Sequence, residues 1–526
     1  MKRFNVTGTC VDTEHYMVDI SAKLNEIEKL VDGKAYFTMN RARQYGKTTT
    51  LYYLEKRLEE RGDYICASIT FENAGINAFD NEETFCGMFL QKISKALRSS
   101  NASNEYAKKW MGSCVTSFNA LNEHITDMCE VHKLVLMIDE VDKSSNNQLF
   151  LHFLGLLRSK FLLRQVRKDN TFHSVILAGV TDIKNLKQKL INDGQHEPLI
   201  EERRVVNSPW NIAADFEIDM SFGPDEIAAM LLEYDIDNNT NMDTTAVASE
   251  IHKNTNGYPF LVSRICKHID EKLGKNWTTD GVNQAVRIVL DEKSVLLDDM
   301  VKNLEIHKDL NNFLYELLIL GIRKSFKHSS MTVDLAYKYA YIKKGERGNA
   351  VINNKIFEGY LTDYFVTKAE NSSEVKRLPG VIYQDVIKGG KFDMAACLTK
   401  FAEFYTKIYS HHDEIFFERQ GRLLFLSFLA PLLNGQGFFH IETELTDQRR
   451  MDLVVDFEKE QYIVELKRWD GNAAKERAYE QLLGYMEAKN ANEGYLLTFD
   501  FRKNKTEEYK AGWIEVGNKR VFDVVV

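Results

Sequence analysis

The 526-residue chain has only six prolines and seven cysteines. The prolines rarely cluster, so no proline-rich linker marks a domain boundary. The cysteines are scattered and include no Cys-x-x-Cys pair. An odd number of cysteines without paired spacing argues against a disulfide framework and against structural zinc. It is typical of a protein from a reducing cytoplasm.

Long apolar segments are absent as well. No apolar run reaches the roughly 18 residues that a membrane-spanning helix needs, and residues 1–6 lack the apolar stretch of a signal peptide. We therefore expect a cytoplasmic protein without a membrane partner. The formal net charge of −9 disfavours a globally basic nucleic-acid binder but leaves room for local contacts.

Basic residues gather locally at 156–168, 322–327 and 343–347. Acidic residues gather at 201–250 and 291–310. Runs of this kind are usually solvated helix faces or loops, so charge alone does not identify a partner.

The chain does contain a strand, a loop and a helix with the residues of a phosphate-binding loop. Residues 35–39 predict a short buried strand and residues 51–58 predict a helix. Between them, backbone N–H groups and the helix N-terminus would cradle phosphates. The Lys47 ammonium would reach the terminal phosphates, and the Thr48 hydroxyl would complete a Mg²⁺ shell. The residues predicted to bind the nucleotide are Arg43, Gln44, Tyr45, Gly46, Lys47, Thr48, Thr49 and, further along the chain, Asp139.

One glycine of the usual G-x-x-x-x-G-K-[ST] pattern is absent, because Arg41 occupies its position. Glycine there normally permits a backbone conformation that other residues resist. A chance Gly-Lys-Thr triplet is the alternative explanation.

A second element argues against chance. Residues 133–138 predict a strand whose positions 134–138 are an unbroken apolar run, typical of a buried parallel strand, and Asp139, Glu140 and Asp142 follow it. Ligands of such sheets bind at the carboxyl ends of the strands, where the loop and Asp139 would meet. Asp139 would hold Mg²⁺ through water, and Glu140 would polarise the attacking water. The sequence therefore predicts ATP binding and hydrolysis.

The middle of the chain is less specific. Residues 1–220 alternate buried strands with amphipathic helices, and residues 225–300 are almost wholly helical, as in a small lid. Residues 307–367 predict helices and a hairpin whose turn lies at 345–348. That order suits a winged-helix module. Such modules bind DNA or serve as structural spacers, and both alternatives stay open.

The C-terminal part of the chain holds a second group of charged residues. The segments 452–457 and 461–467 predict two strands that are close enough to pair as a hairpin. Glu465 and Lys467 are two positions apart, so they leave the same face, and Asp452 falls beside Glu465. Two carboxylates can bind Mg²⁺ or Mn²⁺. Lys467 can position a water and stabilise negative charge on a phosphodiester under attack.

The alternative is that Glu465 and Lys467 are outward residues of a half-exposed strand. Their neighbours predict burial on both faces, and a charge there is costly unless it is paired or bound to a metal. A helix over 473–486 places Gln481 on the same side as Tyr485. Gln481 could point into the site, and a solvated glutamine is the alternative.

The residues Asp452, Glu465 and Lys467 resemble the D…E-x-K motif of the PD-(D/E)XK nuclease superfamily. The resemblance implies a catalytic site that also includes two helical residues, Glu418 and Gln481. It implies that Asp452 and Glu465 hold the metal.

The loop at 41–50 and residues 139–142 resemble the prokaryotic AAA-ATPase-like proteins, in which an arginine-rich loop replaces the first Walker glycine. Residues 257–260 are similar to the lid of STAND-type ATPases. These resemblances imply that Thr48 and Asp139 hold Mg²⁺ and that Glu140 is catalytic.

Together the resemblances imply a multidomain α/β protein with four parts. These are a P-loop NTPase parallel-sheet domain of the AAA-like type at 1–222, a helical lid at 223–300, a winged-helix-like module at 301–394 and a PD-(D/E)XK nuclease-like α/β domain at 395–526.

The expected function is that of an ATP-binding, ATP-hydrolysing protein that controls a metal-dependent nuclease domain. The nuclease would cleave DNA phosphodiesters, in phage or mobile-element defence. The alternative is a nucleotide-dependent switch or scaffold that binds nucleic acid through a non-cleaving nuclease-like domain. ATP and Mg²⁺ are the expected cofactors, with Mn²⁺ as an alternative at the nuclease site. DNA is the expected partner and RNA the alternative, and a homo-oligomer also stays open.

Overall fold

The computed structural model describes most of the chain, in two compact units. The N-terminal unit comprises residues 1–285 and 338–340, and the C-terminal unit comprises residues 286–337 and 341–526. The described residues are 2–72, 74–111, 115–141, 148–180, 210–319, 322–371, 383–409, 414–433, 437–440, 453–457, 460–500 and 511–526.

The N-terminal unit begins with two short parallel strands and continues as an alternation of helices and strands. Its elements up to residue 179 are β1 (Arg3–Phe4), β2 (His15–Tyr16), α1 (Ser21–Asp32), β3 (Tyr36–Asn40), α2 (Lys47–Arg61), β4 (Ile65–Thr70), a 3₁₀ turn (Ile76–Phe79), α3 (Glu82–Arg98), α4 (Asn104–Lys109), α5 (Phe118–Val131), β5 (Leu134–Asp139), α6 (Gln148–Gln165) and β6 (Ser174–Gly179).

Four of these strands form one parallel sheet in the order β3-β6-β5-β4. Every residue of β6 is buried, and so are the first five of β5. Alternate residues of β5 belong to two separate apolar clusters, because helices cover both faces of the sheet. This confirms the predicted α/β domain with a parallel sheet.

A buried cation ties two of these helices together. Lys160 of α6 is fully buried, and its Nζ donates to the carbonyl of Asn122, to Thr126 Oγ1 and to Asp169 Oδ2 at 3.0, 2.7 and 2.8 Å. Three acceptors and one carboxylate offset the cost of removing the ammonium from water. The cluster holds α6 against α5.

Helices follow in the remainder of the N-terminal unit: α7 (Pro224–Asn238), α8 (Thr244–Thr255), α9 (Pro259–Glu271) and α10 (Thr279–Asp291), the last of which runs into the C-terminal unit. Pro224 and Pro259 occupy first turns, where a missing backbone N–H costs nothing.

The N-terminal strands are packed on these helices through aromatic rings. Phe4 of β1 contacts the rings of Tyr16, Tyr234 and Trp277 at centroid distances of 5.2 to 5.8 Å. The Tyr16 hydroxyl donates to Asp237 Oδ2 of α7 at 2.9 Å. Strands β1 and β2 are therefore packed on the helical part of this unit.

The C-terminal unit starts with helices and a hairpin. These are α11 (Val295–Ile306), α12 (Lys308–Leu318), α13 (Met331–Lys338), β7 (Ile342–Lys344), β8 (Ala350–Ile352) and α14 (Lys355–Asn371). Strands β7 and β8 are antiparallel. Gly348 has φ +73°, a left-handed conformation that glycine adopts without strain, and it closes the turn at the predicted place.

The rest of the unit is built around a mixed sheet. Its elements are α15 (Tyr383–Val386), β9 (Ile387–Lys388), β10 (Lys391–Phe392), α16 (Met394–Tyr409), α17 (Glu414–Leu433), β11 (Gly437–His440), β12 (Leu453–Phe457), β13 (Glu460–Arg468), α18 (Asn472–Ala488), β14 (Glu493–Phe499), β15 (Gly512–Val516) and β16 (Lys519–Val525).

The six-stranded sheet has the order β11-β12-β13-β14-β16-β15, and β13, β14 and β16 run parallel. Helix α18 covers one face, where Ala478, Leu482 and Tyr485 pack against Ile463 and Leu496. Within the described residues, no helix has the length and apolar character needed to cross a membrane.

Candidate functional sites

The loop between β3 and α2 contains the backbone turns that a phosphate-binding loop needs, but not at Arg41. Gly46 has φ +82° and Gln44 has φ +55°, whereas Arg41 is not among the residues with positive φ. The arginine therefore needs no glycine-like conformation. Its guanidinium donates to the carbonyl of Ile218 at 2.7 Å and lies 5.4 Å from the centre of the Phe216 ring.

The Lys47 side chain lies within this loop. It is 7% exposed, and its Nζ donates to the carbonyls of Arg41 and Ala42 at 3.0 and 2.9 Å. Both acceptors belong to the loop itself. The loop thus holds a buried ammonium at the first residue of α2, where the helix N-terminus adds positive potential.

The structure brings Thr48 and Asp139 into direct contact. Thr48 Oγ1 donates to Asp139 Oδ2 at 2.7 Å, and the backbone N–H of Glu140 donates to Asp139 Oδ1 at 2.9 Å. Strand β6 lies between β3 and β5, so this contact spans the carboxyl end of the sheet. Glu140 has φ +54°, an uncommon conformation for a residue other than glycine. A hydroxyl and a carboxylate on half-exposed or exposed residues are suitable oxygen ligands for Mg²⁺.

A cavity of about 320 Å³ lies beside the phosphate-binding loop. The sequence did not indicate that the N-terminal segment would line a cavity at this site. The N-terminal segment 5–20 lines it, together with Gln44 and Thr49 of the loop and Met230 and Phe260 of α7 and α9. Backbone contacts hold this segment: the Cys10 N–H donates to Thr49 Oγ1 at 3.1 Å. The segment has no helical or strand periodicity, so no sequence signal marked it as part of a site.

The turn before α9 contacts the loop directly. Tyr258 Oη donates to the carbonyl of Arg43 at 2.5 Å, and its ring meets Tyr45 edge-on at 4.7 Å. Gly257 has φ +69° and accepts a hydrogen bond from the Phe222 N–H at 2.8 Å. A Cβ on Gly257 would lie 2.1 Å from the Phe222 carbonyl oxygen. Only glycine fits this turn.

We expect Gly257→Ala to destabilise the N-terminal unit by about 2–4 kcal/mol, because it adds both a clash and backbone strain. The free energy of unfolding, measured in urea, checks this. Gly274→Ala is the matched control, since Gly274 has φ +58° but no atom within 4 Å of an added Cβ. The control should lose only about 1 kcal/mol. Equal losses in the two variants would contradict the clash.

The second site is built around a buried carboxylate. Glu465 is fully buried, and the Lys467 Nζ lies 2.5 Å from its Oε1, while the Lys467 side chain is 32% exposed. Both leave β13 on the face of Ile463, which α18 covers. Glu465 is therefore not an outward residue of a half-exposed strand.

The structure describes only some of the other residues predicted for this site. Asp452 lies outside the described residues, and Leu453 beside it pairs with Val464. Glu418 belongs to α17, but its side chain is outside the described part. Asp142, which follows β5 in the sequence, is also outside the described residues. Gln481 is half-buried on α18, and its Nε2 donates to Tyr485 Oη at 2.6 Å.

Sequence reasoning also missed a buried acid on the same sheet face. Glu465 pairs in register with Leu496, and Leu496 pairs with Asp523, so the three form one row across the sheet. Asp523 Oδ2 accepts a hydrogen bond from Tyr479 Oη at 2.7 Å and forms an ion pair with Lys475 Nζ at 2.6 Å. A carboxylate within the apolar run at 521–526 was the available signal. The cluster anchors α18 over the sheet.

No group of three or more His, Cys, Asp or Glu side chains with metal-binding geometry occurs among the described residues. The Thr48–Asp139 pair and the Glu465 carboxylate are the parts of the predicted metal sites that the described structure contains.

A parallel sheet with a strand-loop-helix phosphate loop, and an acidic residue at the end of a nearby strand, defines a P-loop NTPase fold. The chain belongs to the family with an AAA-like domain, whose model matches residues 8–318. The C-terminal sheet is a PD-(D/E)XK nuclease superfamily domain, matched over residues 438–510. The resemblances of the sequence to AAA-like proteins and to the PD-(D/E)XK nuclease superfamily are confirmed.

No curated protein matches the chain. Among solved structures, a Walker-type ATPase of Pyrococcus abyssi is 12% identical with a TM-score of 0.45, covering 68% of this chain and 99% of that one. The ORC2 protein of Aeropyrum pernix is 12% identical with a TM-score of 0.31, covering 66% of this chain and 90% of that one. The RuvB branch migration motor of Thermotoga maritima is 15% identical with a TM-score of 0.24, covering 59% and 94%.

Proposed function

We propose that the N-terminal unit binds and hydrolyses ATP. The observation that carries this proposal is the 2.7 Å contact between Thr48 and Asp139 beside the buried Lys47. The Lys47 ammonium would exchange its two carbonyl acceptors for phosphate oxygens, which are stronger partners for a cation. The base would enter the cavity between the N-terminal segment and α9, whose apolar residues suit a planar ring.

Thr48 and Asp139 would hold Mg²⁺ at the phosphates, where the ion would neutralise negative charge. Glu140 follows Asp139 at the same sheet edge and would orient the attacking water. Its uncommon left-handed backbone supports a positioned role, because backbone strain of this kind is concentrated at functional sites.

The C-terminal domain would cleave DNA phosphodiesters with a divalent metal. The supporting observation is a carboxylate and an ammonium, Glu465 and Lys467, on one face of an apolar strand, with Lys467 partly open to solvent. Glu465 and Asp452 would hold Mg²⁺ or Mn²⁺, and Lys467 would stabilise charge on the phosphate. Gln481 and Glu418 would complete the site from α18 and α17.

ATP would control the nuclease through the helical lid. Tyr258 bonds to the carbonyl of Arg43 in the phosphate loop, so a change in the loop on nucleotide binding would act on α9 directly. The domains of this protein would be the ATPase domain at 1–222, the lid at 223–300, the winged-helix-like module at 301–394 and the nuclease domain at 395–526. Defence against phage or mobile elements is a role that fits an ATP-controlled nuclease.

The test is the ATP dependence of cleavage. Purified protein is incubated with DNA and Mg²⁺ or Mn²⁺, with ATP, with ADP or without nucleotide. We expect cleavage that requires the metal and changes at least about 10-fold between the ATP and nucleotide-free reactions, a modest coupling free energy. Metal-dependent cleavage at the same rate in all three reactions would contradict control by ATP and would still support the nuclease.

The second candidate is a nucleotide-dependent switch or scaffold that binds nucleic acid without cutting it. The 2.5 Å ion pair favours it, because a carboxylate already paired with Lys467 attracts a metal less strongly. DNA binding that persists in chelator, without cleavage under any metal, would support this candidate.

A further inference from the structure

Two basic segments that are separate in the sequence lie side by side in the C-terminal unit. The Phe326 N–H donates to the carbonyl of Gly348 at 2.9 Å, and the Ala350 N–H donates to the carbonyl of Lys324 at 2.8 Å. Ser325 and Asn349 form an antiparallel bridge between them. Residues 324–326 thus extend the β7–β8 hairpin, and adjacent strands are only about 5 Å apart. We call residues 322–328 and 342–352 the basic hairpin.

The basic hairpin has a charge opposite to that of the whole chain. Residues 322–328 and 342–352 contain six lysines and arginines and one acid, in a protein of net charge −9. Arg323, Lys327, Lys344 and Arg347 are all exposed. Within the part of the chain that the structure describes, no carboxylate pairs with any of these four. By contrast, Lys324 forms an ion pair with Glu316 of α12.

A polar groove runs from the hairpin to the start of α13. It has a volume of about 640 Å³ and is lined by Lys324, Lys327, Ser329, Ser330 and Thr332, with the acids Asp309 and Glu316 on the α12 side. Hydroxyl and ammonium groups are typical phosphate-contacting side chains in protein–DNA complexes. The cations lie on the hairpin, and the neutral donors lie where a short helix begins.

We propose that the basic hairpin and the start of α13 bind the phosphate backbone of double-stranded DNA. The inference rests on the proposed function, since it supplies the surface that holds the substrate duplex. A polyanion is the partner because the four exposed cations, two on each segment, are not neutralised by described carboxylates. The proposed contacts are to phosphates, and such contacts position a protein on the duplex without reading the base sequence.

The experiment measures the affinity of the full chain for a fluorescein-labelled DNA duplex by anisotropy. The parent protein, the hairpin variant and the control are all kept in chelator, so that no metal-dependent cleavage takes place. Lys344→Glu with Arg347→Glu should weaken binding at least about 10-fold and lower the slope of log affinity against log salt by about 2 between roughly 50 and 200 mM salt. The control is Lys293→Glu with Lys302→Glu, an equal charge change on exposed residues of the same unit, and it should bind like the parent protein.

Equal binding by the hairpin variant and the control overturns the inference. Binding that prefers single strands or duplex RNA also overturns it. If circular dichroism shows that the hairpin variant is unfolded, Lys344→Gln with Arg347→Gln replaces it. An affinity of the parent protein for DNA that does not change with salt overturns the inference without any variant. Hairpin-dependent binding by a protein that never cleaves supports the inference and removes the nuclease proposal. Metal-dependent cleavage by a protein whose DNA binding does not depend on the hairpin supports the nuclease proposal and overturns the inference about the hairpin.

Discussion

Lys47→Ala should weaken ATP binding about 100-fold or more. The ammonium is the group on the loop that would make charge-assisted hydrogen bonds to the phosphates, each worth roughly 1.5–3 kcal/mol. Loss of about 3 kcal/mol corresponds to about two orders of magnitude in the dissociation constant. The measurement is the titration of a fluorescent ATP analogue. In parallel, ATP with Mg²⁺ should raise the melting temperature of the wild type and leave that of the variant unchanged.

Lys56→Ala is the matched control, because Lys56 is an exposed lysine on the same helix α2. It should bind ATP like the wild type. A second variant, Lys47→Arg, keeps the charge but replaces the compact ammonium, which donates to the Arg41 and Ala42 carbonyls, with a larger planar fork. It should bind nearly as weakly as Lys47→Ala. Wild-type affinity in both Lys47 variants would remove the loop from the nucleotide site.

Lys467→Ala should reduce metal-dependent DNA cleavage by about 100- to 1,000-fold. Removal of one preorganised group that stabilises transition-state charge typically costs this much. The measurement is the initial cleavage rate of a labelled duplex in Mg²⁺ and in Mn²⁺. The substitution also leaves the fully buried Glu465 without its lysine, which can cost about 3–5 kcal/mol of folding free energy.

Two further variants separate the chemical effect from the structural one. Glu465→Gln with Lys467→Met removes both charges, so it should recover most of the stability but none of the activity. Arg468→Ala changes an exposed basic residue one position away, on the opposite face of β13, and should cleave at the wild-type rate. A Lys467→Ala protein that is folded and cleaves at the wild-type rate would refute the nuclease site.

The local elements around both sites were predictable because their signals are short in sequence. The unbroken apolar runs of β5 and β6 indicate strands buried on both faces, and the structure buries them in that way. Gly46, Lys47 and Thr48 are consecutive, and Glu465 and Lys467 are two apart. Backbone geometry alone places such neighbours together. The apolar residues around Glu465 predicted its burial, and the structure confirms that Glu465 is buried.

The Arg41 position shows what a sequence motif leaves open. Glycine at this position of the pattern normally permits a conformation that arginine resists, but the left-handed residues of this loop are Gln44 and Gly46. A motif letter does not specify φ. The fold shows instead that Arg41 serves to tie the loop to the carbonyl of Ile218, a contact across 177 positions of sequence.

The sequence by itself determined the strand-loop-helix unit, the acidic end of β5 and the E-x-K strand, because periodicity and spacing encode each of them within a few residues. The tertiary structure alone decided which distant groups meet. It joined Thr48 to Asp139 across β6, closed a cavity with the N-terminal segment, placed Asp523 in the row of Glu465 and brought two basic segments into one hairpin. The physical reason is that strand order and register depend on packing of the whole sheet, and no local pattern specifies them.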